Sequence, residues 1–137
     1  MTKAHLFRFD EITPIDRGGG IFTKLLVGKE VGSTNLTSGI ATFPSGGALR
    51  LHTHNCDESV TLIEGEGVAE IDGEEFPVKP FDTTFVPAGV AHRFLNRSAR
   101  PMRILWNYMS VNVTRTFVDT GETVAHMTSA DKGATRI

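Results

Sequence analysis

Cysteine is nearly absent from this chain. Cys56 stands alone among 137 residues, so no intrachain disulfide can form and nothing points to an oxidising compartment. Long apolar runs are missing too, since no stretch approaches the ~20 residues that a membrane-spanning helix needs. Met1 to Asp10 alternates charged and apolar residues and lacks the continuous core of a secretory leader. A cytoplasmic protein with no membrane partner is the expectation, and the sequons at Asn35, Asn96 and Asn112 are then chance matches. A basic surplus is also lacking: 14 Lys and Arg face 16 Asp and Glu, for a net charge of −2, which leaves no footprint for nucleic acid. No helix-turn-helix is attached, which argues against a self-contained transcription factor, and there are no repeats or low-complexity segments. What is present is ordinary for a globular protein, with 39% apolar and 22% charged residues. A chain of this length is expected to form one domain, residues 1–137.

From Phe22 onward, short segments rich in Val, Ile, Thr and Phe alternate with Gly, Pro, Asn and Asp. That rhythm predicts an antiparallel all-β barrel or jelly roll over about 22–118. It leaves a loosely ordered arm, 1–21, with a flexible turn at Gly18-Gly19-Gly20, and a tail, 119–137. Asp72-Gly73 is the pair preferred in a tight hairpin and joins Val68–Ile71 to Phe76–Val78. Pro44, Pro77, Pro80, Pro87 and Pro101 fall at presumed strand edges. Ile104 to Val118 offers two more strands. Asp119 with Glu122 resembles a capping box and predicts a short helix over Thr123–Met127.

The informative stretch runs Gly46-Gly47-Ala48-Leu49-Arg50-Leu51-His52-Thr53-His54-Asn55-Cys56-Asp57-Glu58. Residues two apart on a strand share a face, so His52 and His54 project side by side. Paired imidazoles suit borderline metal ions. Asn55-Cys56-Asp57 can turn the chain, so that Glu58 begins the next strand and returns its carboxylate to the same place, with Val60 and Leu62 lining the interior at the same parity. A second segment, Pro87 to Asn96, supplies His92 just after a turn. Spacing by itself leaves both readings open, because polar alternation on an exposed strand also yields a His-x-His.

The two segments together resemble the paired motifs of the cupin superfamily. The first has Gly46, His52-x-His54, Glu58 and Gly65; the second has Pro87-x-Gly89, His92 and Asn96. One position departs from the pattern: Phe81 stands where this family usually has glycine. The resemblance implies a six- to eight-stranded RmlC-like barrel, often a homodimer, with one divalent transition metal ion (Fe, Mn, Ni, Co or Zn) on His52, His54, Glu58 and His92. Three imidazoles and one carboxylate would leave an octahedral ion two open positions, as catalysis requires.

Around those residues, Arg50 shares parity with the two histidines and is a candidate to grip a substrate carboxylate, although at a barrel mouth it would simply be solvated. Tyr108 alternates with Trp106 and is a second candidate substrate contact, while Trp106 reads as core. Cys56 reads as a turn residue, Asn96 as a structural turn residue, and His5 and His126 as surface or capping residues. The function expected is a metal-dependent enzyme acting on a small organic molecule, first a dioxygenase-type oxidoreductase with Glu58 as catalytic base. The alternatives are a non-redox isomerase, cyclase or lyase, and a binding or sensing module without turnover. Fold alone does not choose among them.

Overall fold

Alternation of apolar and polar residues organises the interior. In Met102–Tyr108, the side chains of Met102, Ile104, Trp106 and Tyr108 are buried while Arg103, Leu105 and Asn107 are less so. Glu58–Glu64 repeats the pattern, burying Glu58, Val60 and Leu62. The computed structural model describes residues 3–137. Its strands are β1 (Ile15–Asp16), β2 (Phe22–Val27), β3 (Thr37–Phe43), β4 (Gly47–Leu49), β5 (His52–His54), β6 (Glu58–Glu64) and β7 (Gly67–Ile71). The second half adds β8 (Glu74–Val78), β9 (Thr83–Val86), β10 (His92–Leu95), β11 (Met102–Tyr108), β12 (Thr114–Phe117), β13 (Thr123–Ala125) and β14 (Ala134–Arg136).

One sheet runs β1-β2-β3-β11-β6-β9, and the other runs β13-β12-β5-β10-β4-β14 with the β7–β8 hairpin attached to β10. The pairings are antiparallel, and Phe43, Val60, Leu62, Ala69, Phe94, Met102, Ile104 and Trp106 from both sheets share one core. This is the expected all-β jelly-roll barrel. The Asp72-Gly73 turn is the expected two-residue hairpin, with φ of 50° and 83° and Ile71 opposite Glu74. Among the described residues no helix is long and apolar enough to cross a membrane.

The sheets extend past both ends of Phe22–Val118. β1 pairs with β2 across Gly18-Gly19-Gly20, all three with positive φ, so this turn shapes a hairpin and the arm is part of the sheet. The helix expected over Thr123–Met127 is not formed. Thr123–Ala125 pairs with β12 instead, with Val124 turned inward and the Thr116 and Thr123 hydroxyls 2.7 Å apart. The presumed cap is engaged elsewhere: the Asp119 carboxylate accepts a hydrogen bond from Arg50, and the Glu122 N–H goes to the Thr120 hydroxyl. Gly39 in β3 serves a packing need, because a Cβ there would collide with the Trp106 indole and stand 2.8 Å from the Lys24 carbonyl.

Phe81 explains its own oddity. It adopts φ of 77°, the left-handed conformation that glycine takes freely and a phenylalanine takes at a cost of roughly 1–2 kcal/mol. Its side chain is 78% exposed, so little packing offsets that cost. Phe81→Gly is expected to stabilise the fold by about 1 kcal/mol, net of the extra freedom glycine gives the unfolded chain. Thermal melting should show this as a rise of roughly 2–5 °C; an unchanged or lower midpoint would contradict it.

Candidate metal centre

Two short strands bring the three histidines together. His52 and His54 are the ends of β5, and His92 opens β10 directly opposite His52. On the far side of β5, β12 sets Arg115 opposite His54 and Phe117 opposite His52. Ligand atoms of the three histidines lie within 4.8 Å of one another, and all three residues are buried. Glu58 opens β6 on the facing sheet and flanks the cluster. Its Oε1 is 2.9 Å from His92 Nε2 and its Oε2 is 3.7 Å from His54 Nε2.

Backbone carbonyls orient each ring. Nδ1 of His52 lies 2.6 Å from the Arg50 carbonyl, Nδ1 of His54 lies 2.9 Å from that of Thr114, and Nδ1 of His92 lies 2.9 Å from that of Val90. A carbonyl has no proton to give, so each Nδ1 carries the hydrogen and donates it. The neutral ring then presents a bare lone pair on Nε2, the arrangement that metal-binding histidines use.

Nε2 of His54, Nε2 of His92 and Oε1 of Glu58 are buried with no hydrogen-bond partner in the protein. Two lone-pair atoms 2.9 Å apart repel unless a cation is shared between them. With no metal ion, that cation is a proton. Burial disfavours charge on His92, but the close Glu58 carboxylate outweighs it and raises the pKa. Burial likewise pushes Glu58 up, and the proximity and charge of His92 and His54 bring it below the ordinary carboxylate range. His52 is driven well below its usual value by burial and then by the Arg115 charge. His54 falls to about 3, burial again being the largest cause. Two histidines locked neutral, a third sharing a proton with a carboxylate, and orphaned acceptors among them make a donor set that fits a divalent ion.

The site opens onto a small cavity walled by Trp106, Tyr108, His126, Arg17 and Arg115 along with apolar side chains. Tyr108 lies 4.6 Å from the His54 ring, centre to centre. Burial and then the Glu58 charge push its phenol well above the usual value, so it stays protonated. His126 stands edge-on to Trp106 and Tyr108 at 5.2 and 4.9 Å, a wall position in place of the surface role its sequence context implied.

Arg50 is not among the residues lining this cavity. Its guanidinium stacks 3.8 Å from the Phe117 ring centre and pairs with Asp119 at 2.6 Å. Cys56 lies outside the ligand cluster, and burial, then the Glu58 charge, raise its thiol to about 11, which leaves it protonated and unreactive. Asn96 holds its turn, donating to the carbonyls of Phe43, Pro44 and Arg100. His5 stacks on Phe7 away from the site. Arg17, Arg115 and Asp131 were not singled out by sequence reasoning. Only Arg115 left a signal, two residues before the inward-facing Phe117 on an alternating strand.

Residues 39–108 match the family model described as Cupin domain. Polyketide synthase CurC of Streptomyces cyaneus is 31% identical over 71% of this chain, and the match spans 64% of that protein, under two thirds of its length. Among solved structures, a predicted oxalate decarboxylase from Thermotoga maritima is 25% identical with a TM-score of 0.70, covering 77% of this chain and 99% of that one. The polyketide cyclase RemF from Streptomyces resistomycificus has a TM-score of 0.72, covering 87% of this chain and 89% of that one; at 15% identity it shares the fold alone.

Removing two of the three rings should leave too few donors for a tight site. Elemental analysis is expected to give about one metal ion per wild-type chain and none in the double variant His52→Ala, His54→Ala. Full retention in that variant would place the ion elsewhere.

Proposed function

The chain belongs to the cupin family, and we propose that it is a metal-dependent enzyme that rearranges a small organic substrate without oxidising it, as an isomerase, cyclase or lyase. The observation that carries this reading is the meeting of His52, His54, His92 and Glu58, with their Nδ1 atoms tied back and orphaned acceptors facing one another in a walled cavity. A module that only binds has no need of such a set. The dioxygenase expectation yields to the non-redox one because the similar proteins are named for decarboxylation and polyketide synthesis, neither of which names an oxygenation.

His52, His54, His92 and Glu58 would hold the ion. When bound, a divalent ion supplies Lewis-acid polarisation of a substrate oxygen, and the N₃O donor set accepts Fe, Mn, Ni, Co or Zn. The remaining work belongs to the side chains. The Glu58 carboxylate, kept ionised by its neighbours, can accept a proton from substrate carbon. The Tyr108 phenol, protonated and beside Glu58, can hold a hydrogen bond to substrate oxygen. Trp106 and His126 limit the water that reaches either group.

We also propose a homodimer. β1 and β9 end one sheet, and β13 and β14 end the other; of these edges, the ones before Phe43 and after Val111 are the ones we propose for pairing. Light scattering should give twice the 14.9 kDa chain mass; a monomer across a wide concentration range would rule this out.

Turnover separates the chemical readings. With the metal-loaded chain and a panel of small enolisable acids and ketones, a substrate that turns over should do so equally in air and under strict anaerobiosis. Oxygen-dependent turnover would restore the dioxygenase reading. Glu58→Gln is expected to keep much of the metal, since an amide oxygen still coordinates, while losing about 100-fold or more in kcat because it is a far poorer base.

A further inference from the structure

Beside the candidate metal centre, the cavity carries charge that the proposed chemistry has not used. Arg17 and Arg115 are 5% and 2% exposed, and both line the cavity. A single carboxylate, that of the buried Asp131, serves them both: its Oδ2 lies 2.7 Å from Arg17 NH2 and its Oδ1 lies 2.9 Å from Arg115 NH1. Two guanidiniums against one carboxylate leave one buried positive charge in excess. Glu58 does not cancel it, because that carboxylate is engaged with His92 and His54.

The donors show where this excess is directed. Arg17 gives Nε and NH2 to Asp131, and its NH1 has only the Met127 thioether at 3.0 Å. Arg115 gives NH1 to Asp131 and interacts with the Tyr108 hydroxyl, while its Nε is buried with no hydrogen-bond partner in the protein. An Nε–H is one prong of the planar fork by which arginine grips a carboxylate. Arg115 also stands on β12 directly opposite His54, which sets this prong beside the metal centre. A structural ion pair would have matched its charges and satisfied its donors, and this one does neither.

We propose that Arg115, positioned by Asp131 and assisted by Arg17, is the anion subsite of the cavity, and that the substrate is a small organic acid bound through its carboxylate there. This deepens the enzyme reading and rests on it for the word substrate; the binding itself does not depend on turnover. It also transfers to Arg115 the role that strand parity had suggested for Arg50.

The test titrates malonate, and the uncharged malonamide of the same skeleton, into the zinc-loaded chain and into the chain stripped with chelator. Calorimetry reads affinity, and ¹H–¹⁵N spectra read the arginine Nε–H resonances. Malonate is expected to bind both forms and to shift the Arg115 Nε–H, with malonamide at least tenfold weaker. Arg115→Lys, which keeps the charge beside Asp131 but loses the fork, should weaken malonate at least tenfold while retaining zinc. Arg115→Met should abolish binding to the stripped chain; if that variant does not fold, the lysine variant and the wild-type spectra still decide. No binding of malonate, equal binding of malonamide, an unmoved Arg115 Nε–H at saturation, or wild-type affinity in Arg115→Lys would each overturn the subsite. Failure of the enzyme reading would appear separately, as lost metal stoichiometry or oxygen-dependent turnover, with these titrations unchanged.

Discussion

Three backbone carbonyls, those of Arg50, Thr114 and Val90, hold the Nδ1 protons of three imidazoles, and the character of the site follows from that. Once Nδ1 is committed, Nε2 must be an acceptor in the neutral ring, and the burial of the strand ends turns those acceptors inward. The carboxylate of Glu58 then arrives from the other sheet as a further acceptor. An interior filled with acceptors is unstable on its own, since each buried unsatisfied group costs about 1–3 kcal/mol. The fold tolerates it because β5, β6 and β10 are fixed by their ladders and cannot relax to relieve it. A divalent cation removes the conflict at its source, so metal affinity and local stability are the same free energy viewed from two sides.

The scaffold also explains why the imidazoles stay neutral. Burial would suffice for His52 and His54, yet the Arg115 charge pushes in the same direction on both. One residue thereby does two things: it holds down the protonation of the histidines and leaves an unpaired donor in the cavity. Lysine in its place would supply the charge without the planar fork. Asp131 moderates the arrangement, because two guanidiniums on neighbouring walls would repel each other without it.

Much of the site was legible because its residues follow local rules. Period two placed His52 beside His54, a three-residue turn returned Glu58, and the next strand carried Val60 and Leu62 inward at the same parity. Asp72-Gly73 revealed its hairpin because only certain residues accept positive φ at both turn positions. Parity failed at Arg50, since Arg50 and Leu51 lie between β4 and β5 and not on a continuous strand, so alternation does not carry through them. The Asp119–Glu122 pattern failed for a related reason: a capping box is a local preference, and pairing with β12 together with the Arg50–Asp119 contact outweighed it. Phe81 was visible as a departure, but its meaning required the backbone angle.

What no local rule shows is the assembly of the cationic wall. Arg17 and Asp131 are 114 positions apart, one in the arm and one in the tail, and neither segment carries a pattern that marks it as interior. They meet because the first strand closes one sheet while the tail packs β13 and β14 onto the other. Asp131 also takes the Met127 N–H on its carboxylate, which ties the tail's turn to the same ion-pair network. The candidate metal centre is thus encoded in two compact motifs, whereas the cationic wall beside it depends on the two ends of the chain meeting in space. The first is legible because its two motifs together carry the resemblance to a family that this chain matches over residues 39–108. The second depends on residues far apart in sequence, so replacing Arg17 or Asp131 changes the charge of the cavity while leaving both ligand-bearing motifs as they are.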